Sequence, residues 1–384
     1  MTVTPYVIDV PSAVLTDLKA RLRATRWPDQ LVEGVPWALG TDLDYLRDVM
    51  DYWAGGFDWA AQQKRLNAFG HVRVEVDVPG EGRLAVHAVH ERAASGAGLP
   101  LVMLHGWPSS FVQMLPIIPL LTDPEAHGAA AGDGFDVVAL SLPGYGFSDR
   151  PSRPGMDVSR IAGIVVDVMA ELGYEKFAAR GSDLGAGVLQ QLALAAPERL
   201  VALHLSGTNP YLGWVPDDLT AAESDFVSAA QQWNATEMAY AMEHSSKPQT
   251  LAVALNDSPA GLASWVLEKF RTWSDCSGDL DSVFSRDDLL TNLTIYWVTQ
   301  TIGSSIRLYY ETAHSTGAGW GRVEVSTGMA MSGADMFPTP REWVERSYHV
   351  TSWVDLPKGG HFLEWEVPDL VAADLRSFLR PFRS

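Results

Sequence analysis

Residues 176–200, KFAARGSDLGAGVLQQLALAAPERL, decide the fold. An apolar run ends in Gly181-Ser182-Asp183-Leu184-Gly185, and a helix-compatible run with Val188, Leu189, Leu192 and Leu194 follows at once. The segment therefore reads as strand, sharp turn and helix, the arrangement of a nucleophile elbow. Its strained backbone leaves no room for Cβ substituents two residues before and two after the reactive residue. That filter separates two neighbours. Ser182 would be flanked by Arg180 and Leu184, which are too large, whereas Asp183 is flanked by Gly181 and Gly185. Asp183 is the candidate nucleophile; the competing reading is that it only caps the following helix.

A carboxylate in this place selects the chemistry. Serine attacking an alkyl carbon would leave an ether, which water does not readily cleave. Aspartate leaves an ester, whose carbonyl an activated water can attack and whose oxyanion backbone N–H groups can stabilise. The target is then an sp³ carbon with a leaving group, as in an epoxide or an alkyl halide, and not a peptide or ordinary ester.

Composition sets the outer limits. At 384 residues and 47% hydrophobic, the chain can bury a large core. A net charge of −19 without any Lys/Arg block argues against nucleic acid and anionic membranes and is compatible with a small uncharged substrate. Cys276 is the only cysteine, which excludes an intramolecular disulfide and a cysteine metal cluster and suits a reducing cytoplasm. The N-terminus, MTVTPYVIDVP, has no export signal, and apolar runs never reach the length of a membrane span. The expectation is a soluble, cytoplasmic protein.

Working outward from the elbow, strands and helices alternate. VRVEVDVP and RLAVHAVHE form a hairpin about Pro79-Gly80-Glu81-Gly82, LPLVMLHGWP and FDVVALSLPGYG are buried strands, and Ile161, Ile164, Val165, Val168, Met169 and Leu172 mark a helix before the elbow. LVALHLSG follows as a strand. The pattern predicts an α/β protein with a mostly parallel, doubly covered sheet over 71–208 and again over 319–384, where RVEVSTGMAMS, TPREWVERSY, HVTSWVDLP and a final amphipathic helix resume it. Residues 209–318 break the alternation with helical stretches and Trp214, Trp233, Trp265, Trp273 and Trp297, and read as an inserted lid. Residues 1–70 read as a helical preface with loops. Val14, Leu15, Leu18 and Leu22 share one helix face there, and Leu43, Leu46, Val49, Met50 and Trp53 another, with Thr41 and Asp44 as its capping pair. RWPDQLVEGVPW between them is expected to wrap over another part of the chain.

His361, in KGGHF between the last strand and the last helix, stands where an α/β-hydrolase places its base. The chain order nucleophile, acid, base then selects Asp335, just after the penultimate strand, over Asp355, which lies within the last one. The N–H groups of Leu184 and of Trp107, in His105-Gly106-Trp107-Pro108, are the candidate oxyanion donors. Opening an epoxide also needs a group that hydrogen-bonds the departing alkoxide. Tyr240, Tyr296, Tyr309 and Tyr310 are available for this, and pattern alone leaves all four open.

The segments RLRATRWPD, HGWPSS, SLPGYGFSD, GSDLGAG, ALNDSPAGLASWVLEKF, DDLLTNLTIYWVTQTIGSSIRLYYE and KGGHFLEWEVPDL resemble the microsomal-type epoxide hydrolases of the α/β-hydrolase superfamily, including their N-terminal extension, over nearly the whole chain. The resemblance puts the nucleophile on Asp183, the base on His361, its acid on Asp335 and the epoxide-polarising tyrosines on Tyr240 and Tyr309. It implies a small-molecule epoxide substrate, a covalent hydroxyalkyl ester on Asp183, a vicinal diol product and no metal or organic cofactor. Three departures stand out: Leu184 where many members have tryptophan, Asp335 where some have glutamate, and no membrane anchor before the extension as in animal members. The lid tryptophans suit either an aromatic or polycyclic epoxide, as in polyketide or enediyne tailoring, or the packing of the lid itself. A haloalkane dehalogenase is the rival enzyme, though it commonly needs a tryptophan at position 184. A non-catalytic ligand receptor on the same scaffold is the rival outside enzymes. Oligomeric state is open, with a homodimer the assembly to test.

Overall fold

The computed structural model describes every residue except 1, 32–33, 208–214, 318, 320, 337–338 and 384. Trp214 and the expected lid boundaries at 209 and 318 lie outside the described residues. In chain order the first elements are β1 (Thr2–Tyr6), α1 (Ser12–Arg23), α2 (Leu43–Gly55), α3 (Trp59–Leu66), β2 (His71–Val78), β3 (Gly82–Glu91), β4 (Leu99–Leu104), α4 (Ile118–Thr122) and β5 (Phe135–Leu140). They continue with α5 (Val158–Glu171), β6 (Phe177–Ser182), α6 (Asp183–Ala195) and β7 (Leu200–Ser206). Among the described residues six α-helices follow with no strand between them: α7 (Ala221–Glu237), α8 (Ala239–Ser246), α9 (Pro248–Asp257), α10 (Pro259–Trp273), α11 (Arg286–Thr299) and α12 (Ile302–Ala313). The chain closes with β8 (Val323–Ser332), α13 (Arg341–Glu345), β9 (Tyr348–Leu356), α14 (Leu363–Glu366) and α15 (Pro368–Leu379).

The strands form one sheet in the order β1-β2-β3-β5-β4-β6-β7-β8-β9. From β5 through β9 every pairing is parallel, and β1, β2 and β3 extend the sheet antiparallel. Every residue of β5 and β6 is buried, so the sheet is covered on both faces, as its continuous apolar runs require.

The N-terminal region departs from expectation in two places. β1 is a strand that pairs antiparallel with β2, from Thr2 opposite Glu75 to Tyr6 opposite His71. It is an edge strand whose first four side chains are exposed, so it carries no apolar alternation to read, and Pro5 is tolerated because an edge needs donors on one side only. The capping pair Thr41 and Asp44 is also corrected. Asp42 caps α2, its carboxylate accepting from Asp44 N and Tyr45 N, while the Thr41 hydroxyl donates to Ser264 O at 2.7 Å. Thr41 and Asp42 are neighbours and either residue type caps a helix; here Asp42 has the extended backbone from which its side chain reaches back to the free N–H groups.

The preface does wrap. Arg271 of α10 lies over the Trp37 ring at 4.6 Å, and the Trp53 indole N–H donates to Thr294 Oγ1 at 3.0 Å. Leu289–Trp297 of α11 are buried at every position, so this helix is enclosed on all sides, with the preface against one side of it.

Candidate active site

Four of the candidate residues follow C-terminal ends of parallel strands: Trp107 after β4, Asp183 after β6, Asp335 after β8 and His361 after β9, while Tyr240 lies on α8 and Tyr309 on α12. That edge is where an open parallel sheet forms its crevice. β8 and β9 are neighbours, which brings Asp335 to His361.

Asp183 has φ +51°, a left-handed conformation for a residue with a Cβ. The flanking glycines are sterically required. A Cβ on Gly185 would lie 2.4 Å from Leu104 O, and one on Gly181 would lie 2.9 Å from Leu189 Cδ1 and 3.0 Å from the Gly185 carbonyl carbon. Gly106 is equally confined, since its Cβ would meet Asp183 Oδ1 at 2.3 Å. The bend so formed presents the carboxylate to the loop after β4, where Trp107 N donates to Asp183 Oδ1 at 3.0 Å. Leu184 lies beside it in the first turn of α6, whose backbone N–H groups have no carbonyl within the helix.

His361 is 4% exposed, with Nε2 at 3.7 Å from Asp183 Oδ2 and Nδ1 at 3.0 Å from Asp335 Oδ1. A carboxylate only accepts, so Nδ1 carries a proton. Burial alone would lower the imidazole pKa, but the charge and hydrogen bond of Asp335 and the charge of Asp183 outweigh it and raise it to about 9. The loop before it passes close against α10. His361 N donates to Trp273 O at 2.8 Å, and a Cβ on Gly360 would lie 2.5 Å from that same oxygen. Gly359 has φ +97°. Glu366, which the sequence did not single out, ties the loop by accepting from Asp275 N, Gly360 N and Phe362 N, each at 2.8 Å. Asp355 is exposed on β9 and accepts from the Trp353 indole, away from His361.

Of the four tyrosines, Tyr240 and Tyr309 meet at the site, with ring centroids 6.1 Å apart. Tyr240 stacks on Trp107 at 5.5 Å, and Tyr309 stands edge-on to it at 6.2 Å. Burial raises the pKa of both hydroxyls, and the Asp183 charge raises it further, so both are neutral donors. The two hydroxyls also interact with each other, and that of Tyr309 is buried. Tyr296 instead donates to Ser109 O, and Tyr310 is exposed and stacks on His314. Trp273 lies 5.3 Å from the His361 ring and 5.1 Å from Tyr240. Trp265 stands one residue further out, donating to His244, and Trp297 lies against Arg21. Among the described residues no three His, Cys, Asp or Glu side chains are grouped to hold a metal ion, and no helix is long and apolar enough to cross a membrane.

Residues 3–114 match the family model described as epoxide hydrolase N terminus, and residues 100–302 match that of the alpha/beta hydrolase fold. Epoxide hydrolase 1 of Oryctolagus cuniculus is 34% identical over 98% of this chain and 89% of its own length. The chain belongs to the epoxide hydrolase family. Two solved epoxide hydrolases share its architecture over nearly the whole chain. The juvenile hormone epoxide hydrolase of Bombyx mori superposes with a TM-score of 0.84 at 29% identity, over 100% of this chain and 94% of that one. The Aspergillus niger epoxide hydrolase does so with a TM-score of 0.85 at 27% identity, over 99% and 97%.

Proposed function

We propose that this epoxide hydrolase opens its substrate through an ester on Asp183 and then hydrolyses that ester, releasing a vicinal diol. The observation that carries the reading is the Asp183 carboxylate held between the Trp107 N–H at 3.0 Å and the His361 imidazole at 3.7 Å. Oδ1 is committed to the N–H, so Oδ2 attacks an epoxide carbon. As the ring C–O bond breaks, Tyr240 and Tyr309 hydrogen-bond the oxygen and one of them protonates it.

Proton balance follows from the raised His361 pKa. In the resting site the imidazolium faces the Asp183 carboxylate. Ester formation removes that negative charge, so His361 gives up its proton, which restores the tyrosine hydroxyl. The neutral imidazole, held by Asp335, then takes a proton from water as the water attacks the ester carbonyl. Charge gathers on Oδ1, where the N–H groups of Trp107 and Leu184 receive it. Collapse expels the diol oxygen, which takes the acid proton of Asp183, and the imidazolium–carboxylate pair returns.

A single turnover in ¹⁸O-labelled water tests the route. Label should enter the Asp183 carboxylate while the first diol stays unlabelled; label in the first diol would exclude the ester. The rings of Trp107, Trp273, Tyr240 and Tyr309 around the carboxylate favour an aromatic or polycyclic epoxide, the substrate type of polyketide or enediyne tailoring. Equal turnover of styrene-type and aliphatic epoxides would remove that preference.

A further inference from the structure

The loop that carries the Trp107 N–H is gripped by α11. Asn292 and Tyr296 of α11 are buried, at 0% and 1% exposure, and four residues apart they share one helix face. Asn292 Nδ2 donates to Pro108 O at 3.0 Å, Tyr296 Oη donates to Ser109 O at 2.8 Å, and Ser110 Oγ donates to Asn292 Oδ1 at 2.7 Å. The three residues after Trp107 are thus each held by one turn of α11. The orientation of the Asn292 amide is not arbitrary, because the Pro108 carbonyl can only accept and so must face the NH₂ group. Behind α11 the preface holds the helix in turn. Trp53 donates to Thr294, and Tyr52 and Gln62 donate to Asp287 at 2.8 and 3.2 Å.

We infer that Asn292 and Tyr296 are positioning residues that aim the Trp107 N–H at Asp183 Oδ1 and thereby set the rate of ester hydrolysis. The inference rests on the two-step reading above. Its selectivity comes from where charge moves. When Oδ2 attacks the epoxide, negative charge leaves the carboxylate and the N–H bond to Oδ1 weakens. When water attacks the ester, charge builds on Oδ1 and the same bond strengthens. Only an interaction stronger in the transition state than before it speeds a step, so a loosened donor slows hydrolysis and spares ester formation.

The test is Asn292→Asp and Tyr296→Phe, with both half-reactions followed by rapid quench, the ester by intact-protein mass and the diol by release. Asn292→Asp keeps the acceptor for Ser110 and loses the donor to Pro108; Tyr296→Phe removes one hydroxyl. Each should slow hydrolysis by about 10-fold, short of the ~100- to 1,000-fold cost of deleting an oxyanion donor outright. Ester formation should stay within about 3-fold of wild type, so that ester accumulates and kcat and KM fall together. Unchanged half-reactions, or an equal loss in both as general loosening would give, overturn the clamp. If Asn292→Asp does not fold, Tyr296→Phe decides alone. Single-turnover ¹⁸O labelling separates the two proposals: label in the first diol overturns the two-step reading, whereas label in Asp183 with an unaltered Tyr296→Phe overturns the clamp only.

Discussion

Replacing the charge on Asp183 should change the basicity of His361 by a predictable amount. The two groups are 3.7 Å apart, and unit charges at that separation with an effective dielectric of about 20 attract by about 4.5 kcal/mol, on the order of three pKa units. Asp183 is largely buried, with 14% of its side chain exposed, so little of this is screened. Asp183→Asn keeps the shape and removes the charge, as esterification does. From a resting value of about 9, the imidazole should fall by roughly two to three units while Asp335 stays in place. ¹⁵N-histidine NMR titration would measure this, with His361→Gln assigning the resonance and intact mass excluding reversion to the acid. The sign carries into kinetics. Ester hydrolysis in the wild type should rise with pH through a pKa well below that of the resting imidazole, because the ester has already removed the charge that holds the proton. A His361 that titrates within about half a unit of wild type in Asp183→Asn would refute the resting ion pair and the proton cycle built on it.

Tyr309→Phe and Tyr240→Phe should each slow ester formation by about 100-fold and leave ester hydrolysis nearly intact, read by single-turnover kinetics. Gly185→Ala, whose Cβ would meet Leu104 O at 2.4 Å, should destabilise by about 3 kcal/mol or more in denaturant melts. Gly187→Ala, in the same helix with its nearest neighbour at 3.9 Å, should instead stabilise by about 0.5–1 kcal/mol. Asp42→Ala should cost about 1 kcal/mol through loss of the α2 cap. Asp44→Ala, which loses only an exposed pair with Arg47, should cost about half of that or less.

The parts of the site that the sequence made readable are those under a local steric rule. Gly181 and Gly185 identify Asp183 because the rule concerns two residues either side of the bend, and their would-be Cβ contacts show the rule at work. Gly359-Gly360 marks His361 for a similar reason, since the chain there must pass against the Trp273 backbone. The tyrosines could not be sorted this way. Tyr309 and Tyr310 are consecutive on α12, so one faces the site and the other faces solvent, but which one depends on how the helix packs. The family resemblance, not spacing, singled out Tyr240 and Tyr309.

The clamp on the Trp107 loop lies beyond any local rule, and the reason is separation. Asn292 meets Pro108 and Ser110 across 184 and 182 residues, and Arg180 meets Glu364 across 184, so no window of periodicity contains both partners. Composition misleads as well, because asparagine, arginine and glutamate usually mark solvent, yet all three are 0% exposed here. A weaker signal was present. Asn292 interrupts the run LLTNLTIYW and Arg180 interrupts KFAARG, and a polar side chain on an element that apolar neighbours bury must find a partner or cost several kcal/mol. Such an interruption cannot name the partner, but it can say that one exists. Arg180 makes the point at the elbow itself: too large to flank a nucleophile at Ser182, it donates to Glu364 at 2.8 Å and to His204 at 3.1 Å, partners on two other elements far along the chain.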